Sequence, residues 1–262
     1  MRLDAALSAA CAADRRIVVP YLLVDRRRAR TLGATVAALA RGGATALELG
    51  FPFSDPIADG PVLAAAADRA LRAGTRWSDL LSAARTASAL LPTAVMTYAN
   101  PVLRHGLSEG IGALAGVGVS GLVVPDLSLE EAGPWRRASA AAGISLVLLA
   151  APASSPGRTA AIARASRGFL YLVSRYGTTG RTATAAGADL RALVAASHRA
   201  APRLPVLVGF GVRDAATAAR AMRSGADGVV VGTALEEAIA RGASPPSLAR
   251  WLRALAGPDA PD

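Results

Sequence analysis

The chain contains no lysine, since all 29 of its basic residues are arginine. A lysine amine is the nucleophile of an imine-forming aldolase and the phosphate-reaching group of a P-loop, so both chemistries are excluded. Cysteine and histidine are almost as scarce. Cys11 is the single cysteine and His105 and His198 are the only histidines, too few for a zinc site of the usual ligand type. No disulfide can form within the chain, which fits a reducing cytoplasm. No apolar run approaches the roughly 18 residues of a membrane span. Residues 1–14 hold an Arg, small residues and a Cys, but Asp4 interrupts any apolar region, and the segment reads as a short helix rather than a targeting sequence.

What is present supports a large core. Of the 262 residues, 52% are hydrophobic and 18% charged, a balance that argues against disorder. The net charge of +10 raises the question of nucleic acid. The arginines, however, are spread over many helical segments without interleaved aromatics or a binding motif, so solvated helix faces, and after them an anionic small substrate, account for the charge.

Short β-branched or Leu-rich runs recur along the chain, each followed by an Ala/Leu/Arg segment of helical period. This alternation predicts parallel βαβ units. Eight strands are expected at 17–24, 45–49, 93–98, 121–124, 145–149, 169–174, 206–208 and 228–231. Helices are expected between them, among others at 29–41, 128–142, 215–224 and 246–255. Most strands are apolar on both faces, as in a sheet covered by helices on one side and a packed interior on the other. Eight evenly spaced units in a length near the roughly 250 residues typical of the fold predict one α/β domain over residues 1–262, a (β/α)8 TIM barrel with an additional N-terminal helix over its bottom. A doubly wound open sheet is the rival architecture.

In such a barrel the loops after the strands carry the chemistry. The second is Glu48-Leu49-Gly50-Phe51-Pro52-Phe53-Ser54-Asp55-Pro56-Ile57-Ala58-Asp59-Gly60-Pro61, where proline and glycine forbid regular structure while carboxylates crowd one end. Glu48 sits on the strand end itself. Pointed inward, its carboxyl lies in an apolar mouth where desolvation raises its pKa toward a value useful for acid–base work. A structural ion pair is the alternative for an isolated strand glutamate. At the other side of the predicted ring, Gly209-Phe210-Gly211 ends strand seven and Gly232-Thr233 ends strand eight and opens a helix. These are the positions where barrels of this kind bind phosphate through backbone N–H groups and a helix N-terminus, with Thr233 as a candidate cap offering its hydroxyl.

The segment from Glu48 to Pro61 resembles the signature of the tryptophan synthase alpha subunit family, with Phe51 where the family usually has Val or Ile. Further segments resemble it in order over nearly the whole chain: Met96-Thr97-Tyr98-Ala99-Asn100-Pro101, Val124-Pro125-Asp126, Tyr171-Leu172-Val173-Ser174-Arg175 with Gly177 and Thr179-Gly180, and the two glycine loops. The resemblance implies cleavage of indole-3-glycerol phosphate to indole and glyceraldehyde 3-phosphate without imine, metal or cofactor, in agreement with the missing lysine. It implies that Glu48 is the general acid and base, that Asp59 holds the indole N–H, and that Tyr171 positions substrate and Glu48. It adds Gly180 to the phosphate site of Gly209, Phe210, Gly211, Gly232 and Thr233, and places Tyr21, Tyr98 and Thr179 in the substrate pocket or its loops. The Gly- and Thr-rich stretch 175–188 is then a mobile lid. Asp126, Asn100 and Tyr98 also end strands, where loop hydrogen bonding explains them as well as catalysis does. Neither histidine is given a role.

The implied partner is a pyridoxal-phosphate-dependent tryptophan synthase beta subunit in an alpha2beta2 complex. Two departures bear on it. After strand one the family's small Gly- and Pro-containing turn is replaced by Asp25-Arg26-Arg27-Arg28-Ala29-Arg30, on the face that docks the beta subunit, and the Gln usual after the Asp59 loop gives way to Leu63-Ala64-Ala65. A free-standing lyase releasing indole, a non-catalytic phosphate-binding regulatory barrel, and another phosphosugar isomerase or epimerase are the competing functions.

Overall fold

The structure, a computed structural model, describes residues 2–151, 153–173, 183–209 and 211–257, with the backbone alone for 183–189. Its eight strands are β1 (Ile17–Leu23), β2 (Leu47–Gly50), β3 (Thr93–Met96), β4 (Gly121–Val123), β5 (Ser145–Ala150), β6 (Leu170–Val173), β7 (Val206–Gly209) and β8 (Gly228–Val231). All pair in parallel, each with its sequence neighbour, and β8 closes on β1. The closed barrel is the predicted fold, and the open-sheet rival is excluded because no strand has a free edge.

The helices described are α1 (Leu3–Ala12), α2 (Ala29–Arg41), α3 (Pro61–Arg72), α4 (Trp77–Ser88), α5 (Ala99–Leu103), α6 (Leu107–Gly116), α7 (Ala132–Ala141), α8 (Pro156–Ala165), α9 (Ala183–Ala200), α10 (Ala215–Met222), α11 (Thr233–Ala240) and α12 (Pro245–Ala256). Most predicted elements shift by one to three residues at their ends. Three shifts have a visible cause. The β3 ladder stops at Met96 because Tyr98 takes the extended position that opens α5. Ser128 bonds Glu131 in a turn, so α7 begins at Ala132 rather than at 128. β7 runs on to Gly209, paired with Val173.

Strand alternation divides the side chains into two sets. On β1, Val18, Leu22 and Val24 pack under the surrounding helices, while Ile17, Val19, Tyr21 and Leu23 point into the barrel with Met96, Val123, Val147, Phe169, Tyr171, Leu207 and Val230. On β2, Leu47 and Leu49 belong to the outer set and Ala46 to the inner. Glu48, between them, therefore faces the interior.

The amino-terminal helix α1 closes the bottom of the barrel, as expected. Leu3 and Leu7 are fully buried, and the Leu3 side chain fits beside Gly121 and Gly168, where any Cβ would crowd it. The Leu3 N–H donates to the Ser120 hydroxyl at 3.1 Å and fixes the helix start. Nearby, His198 on α9 sits 3.0 Å from the Asp227 carboxylate, which also accepts the Val206 N–H at 2.7 Å. That hydrogen bond raises the His198 pKa. His198, partly exposed, is thus a tie between helix and strand ends.

Close approach at the base is strictest at Gly228, where a Cβ would overlap the Ile17 carbonyl oxygen. Backbone cannot rotate away as a side chain can. Gly228→Ala is expected to lower the unfolding free energy by about 3 kcal/mol, read as a lower urea midpoint at unchanged slope.

Candidate active site

At the C-terminal mouth, Glu48 sits directly beside Tyr21 of β1 and Ala94 of β3 in the ladder. It is fully buried, and neither carboxyl oxygen has a hydrogen-bond partner among the described residues. An ionised carboxylate there has lost water without gaining a cation. Burial, and after it the charge of Asp59, push its pKa up to about 8. At neutral pH Glu48 is mostly a carboxylic acid. The ion pair considered for it from sequence is absent among the described residues.

Asp59 comes from the loop between β2 and α3, and one of its carboxyl oxygens is buried without a partner. Burial raises its pKa to about 6, and a hydrogen bond with Tyr98 works in the opposite direction. Tyr98 is well placed to donate. Its hydroxyl accepts the Ala58 N–H at 3.0 Å, leaving the phenolic hydrogen for Asp59, and its ring stacks on Phe53 with centroids 5.1 Å apart. Tyr98 therefore anchors the Asp59 loop at two points.

The loop is held from outside by a second aromatic chain. Phe51 packs edge-on against Trp77 of α4, and Trp77 stacks on His105, with centroids 5.6 and 4.8 Å apart. His105 thus has a packing role that its sequence context did not reveal. Asp126 accepts the Ala99 N–H at 3.0 Å and caps α5 from across the barrel rim. Asn100 lies on the same short helix.

The cleft above these groups is lined by Tyr21, Asp59, Leu63, Met96, Tyr171, Gly211, Val212, Val230, Gly232 and Thr233. Tyr21 and Tyr171 enter it from β1 and β6. Each ring requires a glycine opposite, because a Cβ at Gly50 would overlap the Tyr21 hydroxyl and one at Gly209 would overlap the Tyr171 ring and hydroxyl. The Tyr171 ring thus fills the space over Gly209, while Gly211, Gly232 and Thr233 border the cleft. Phe210, Thr179 and Gly180 lie outside the described residues, as do residues 175–182 of the predicted lid region, and the chain is helical from Ala183.

One expectation is corrected. Thr233 is not the cap of α11. Gly232 takes that position, without any side-chain bond, and Thr233 is the first helical residue. Free of capping, its hydroxyl is available to the cleft, beside first-turn N–H groups that suit an anion.

Two functional features escaped the sequence reading. Glu236 of α11, almost fully buried, accepts the Leu23 N–H at 2.9 Å and the Arg28 guanidinium at 2.7 Å. The signal was a glutamate one turn after Thr233 in an otherwise apolar position. Nearby, the buried Asp25 caps the 3-10 turn Arg26–Arg28 and chelates Arg27, and Arg26 donates its N–H to Thr75. The arginine segment is therefore held in place by these bonds, and Arg26 and Arg28 line a separate cavity against α2 and α4. The second feature is Met96, a cleft-lining residue that reads in the sequence only as core.

A closed eight-stranded parallel barrel with two pKa-raised carboxylates and a helix N-terminus at its C-terminal mouth is the (β/α)8 scaffold on which enzymes carry their active sites, and its mouth holds groups suited to acid–base chemistry. The particular family follows from comparison with known proteins. The family model described as tryptophan synthase alpha chain matches residues 7–252. The tryptophan synthase alpha chain of Synechocystis is 40% identical over 227 residues, 86% of this chain and 85% of its own. That of Thermobifida fusca is 47% identical over 202 residues, 76% of this chain and 74% of its own. Among solved structures, a chain of Mycobacterium tuberculosis tryptophan synthase superposes with a TM-score of 0.86 at 38% identity, covering 97% of this chain and 96% of that one. The chain belongs to the tryptophan synthase alpha chain family.

The raised Glu48 pKa has a stability consequence. Unfolded Glu48 ionises near its ordinary value while the folded group keeps its proton up to about 8, so its contribution to stability is intact at acid pH and lost as pH rises through that range. Glu48→Gln is expected to be near neutral at pH 4 and to stabilise the fold by about 2 kcal/mol at pH 9, checked by urea unfolding at both pH values.

Proposed function

We propose that this chain is a carbon–carbon lyase that splits indole-3-glycerol phosphate into indole and glyceraldehyde 3-phosphate, as the alpha subunit of tryptophan synthase serving a pyridoxal-phosphate-dependent beta subunit. The observation that carries the reading is the buried Glu48, without a hydrogen-bond partner among the described residues and near enough to Asp59 at the mouth of the barrel for its charge to be felt. A cytoplasmic location accords with the lone Cys11, and among the described residues no helix is long and apolar enough to cross a membrane.

The chemistry follows from the protonation states. Glu48, a carboxylic acid at neutral pH, gives its proton to indole C3. The positive charge that appears on the ring nitrogen is offset by the carboxylate of Asp59, which accepts the indole N–H. Glu48, now a carboxylate, removes the proton from the carbinol oxygen next to C3. The C=O bond forms, the carbon–carbon bond breaks, and its electrons return to the ring as indole leaves. Glu48 ends the cycle protonated, so the step needs neither an amine nor an external acid. Tyr171 positions ring and acid, and Tyr98 fixes Asp59. The phosphate is held by the Thr233 hydroxyl and the first-turn N–H groups of α11, with Gly211 and Gly232 permitting close approach. By family resemblance Gly180, Gly209 and Phe210 complete that site and Thr179 closes over the Asp59 loop.

Indole release by the purified chain, with and without a tryptophan synthase beta subunit, tests the reading. Turnover that rises on adding the beta subunit is expected. Fast release by the chain alone identifies a free-standing lyase, and no release in either case refutes the proposal. Glu48→Gln is expected to reduce indole formation at least about 100-fold.

The pH profile of kcat/KM is expected to be bell-shaped. It falls above about 8, where Glu48 loses the proton it must donate, and below about 6, where Asp59 loses its charge. Tyr98→Phe removes the bond that favours ionised Asp59, so the acid limb is expected to move to higher pH while the alkaline limb stays.

A further inference from the structure

We propose that the Tyr21 hydroxyl is a specificity-determining hydrogen-bond donor to the glyceryl hydroxyl groups of the substrate, an assignment that rests on the lyase reading above. Tyr21 is only 5% exposed, yet it lines the cleft, and its hydroxyl is absent from the fully buried polar atoms that lack a partner, so it keeps an opening to that space. A phenol that opens to a cleft without a side chain bonded to it is free to donate to a ligand there. The Tyr21 hydroxyl does not serve Glu48, since both oxygens of that carboxyl are without partners among the described residues.

The placement of the ring says which part of a ligand it meets. Its Cβ, Cγ and Cδ1 atoms lie against Gly232, at 3.2–3.4 Å from where a Cβ would stand, and its hydroxyl lies over Gly50. Gly232 opens α11 at the anion end of the cleft, and Gly50 follows Glu48 by two residues on the same inward face of β2. The tyrosine therefore spans the distance between the phosphate end and the carboxylate end. A substrate with its phosphate at Thr233 and its indole between Glu48 and Asp59 must lay its three-carbon chain along this ring. The only polar groups on that chain are its two hydroxyls, and the Tyr21 O–H is at the end nearer the scissile bond.

A phenylalanine would occupy the same volume between the two glycines, so the hydroxyl can be removed without disturbing the packing. The test is Tyr21→Phe assayed for two compounds: kcat/KM for indole-3-glycerol phosphate, and inhibition by indole-3-propanol phosphate, which keeps the ring and phosphate but lacks both hydroxyls. The expected result is a loss of about tenfold in kcat/KM, mostly through KM, with the inhibition constant changed less than about twofold. Equal weakening of both compounds overturns the assignment, because it would report the position of the ring alone. No change in either overturns it as well. Failure of the underlying reading looks different: the unmodified chain, with its beta subunit, would neither cleave the first compound nor bind the second.

Discussion

Space inside the barrel governs this molecule. Eight strands of alternating side chains deliver more volume to the interior than it can hold, and the sequence relieves the crowding with glycines set against large neighbours. At the bottom, Gly121 and Gly168 accommodate Leu3, and Gly228 lets β8 approach the Ile17 carbonyl. At the top, Gly50 and Gly232 accommodate Tyr21, and Gly209 accommodates Tyr171. The same device thus seals one end with an apolar plug and furnishes the other with two tyrosines. Between them Glu48 is buried with no cation among the described residues, and its burial, with the charge of Asp59, is what makes it an acid near neutral pH.

Stability and chemistry oppose each other at that residue. A lysine or arginine reaching Glu48 would stabilise the fold and remove the proton that the proposed mechanism requires. Two arginines of the segment after β1 are engaged elsewhere, Arg27 with Asp25 and Arg28 with Glu236. The rim acids hold the guanidinium groups at the edge of the mouth. The interior acids remain unpaired, and Asp59 alone receives a neutral partner, Tyr98.

Much of this was legible in the sequence. The number and even spacing of the eight strand runs favour closure over the open-sheet rival, whereas the inward direction of Glu48, conditional in the sequence, is fixed by Leu47 and Leu49 packing outward on either side. Strand ends were less legible, since Tyr98 and Ser128 are recruited into turns by partners distant in the chain or by local hydroxyl bonding. The cap of α11 was misread because Thr233 carries capping chemistry, whereas the backbone turns one residue earlier at Gly232, where the absent side chain is what matters. The roles of His105 and His198 were illegible for a simpler reason: Trp77 and Asp227, which give them their roles, are brought to them only by the fold.

The bond from Glu236 to the Leu23 N–H and to Arg28 joins the end of β1 to the helix that opens at the anion end of the cleft. Position 236 and the arginine segment are consequently one structural unit. A chimera that receives this β1 loop from another alpha chain without changing residue 236 would carry a buried glutamate stripped of its cation, and one that exchanges residue 236 alone would strand Arg28. Grafting experiments across the family, and reconstructions of how this loop arose, have to move the two together.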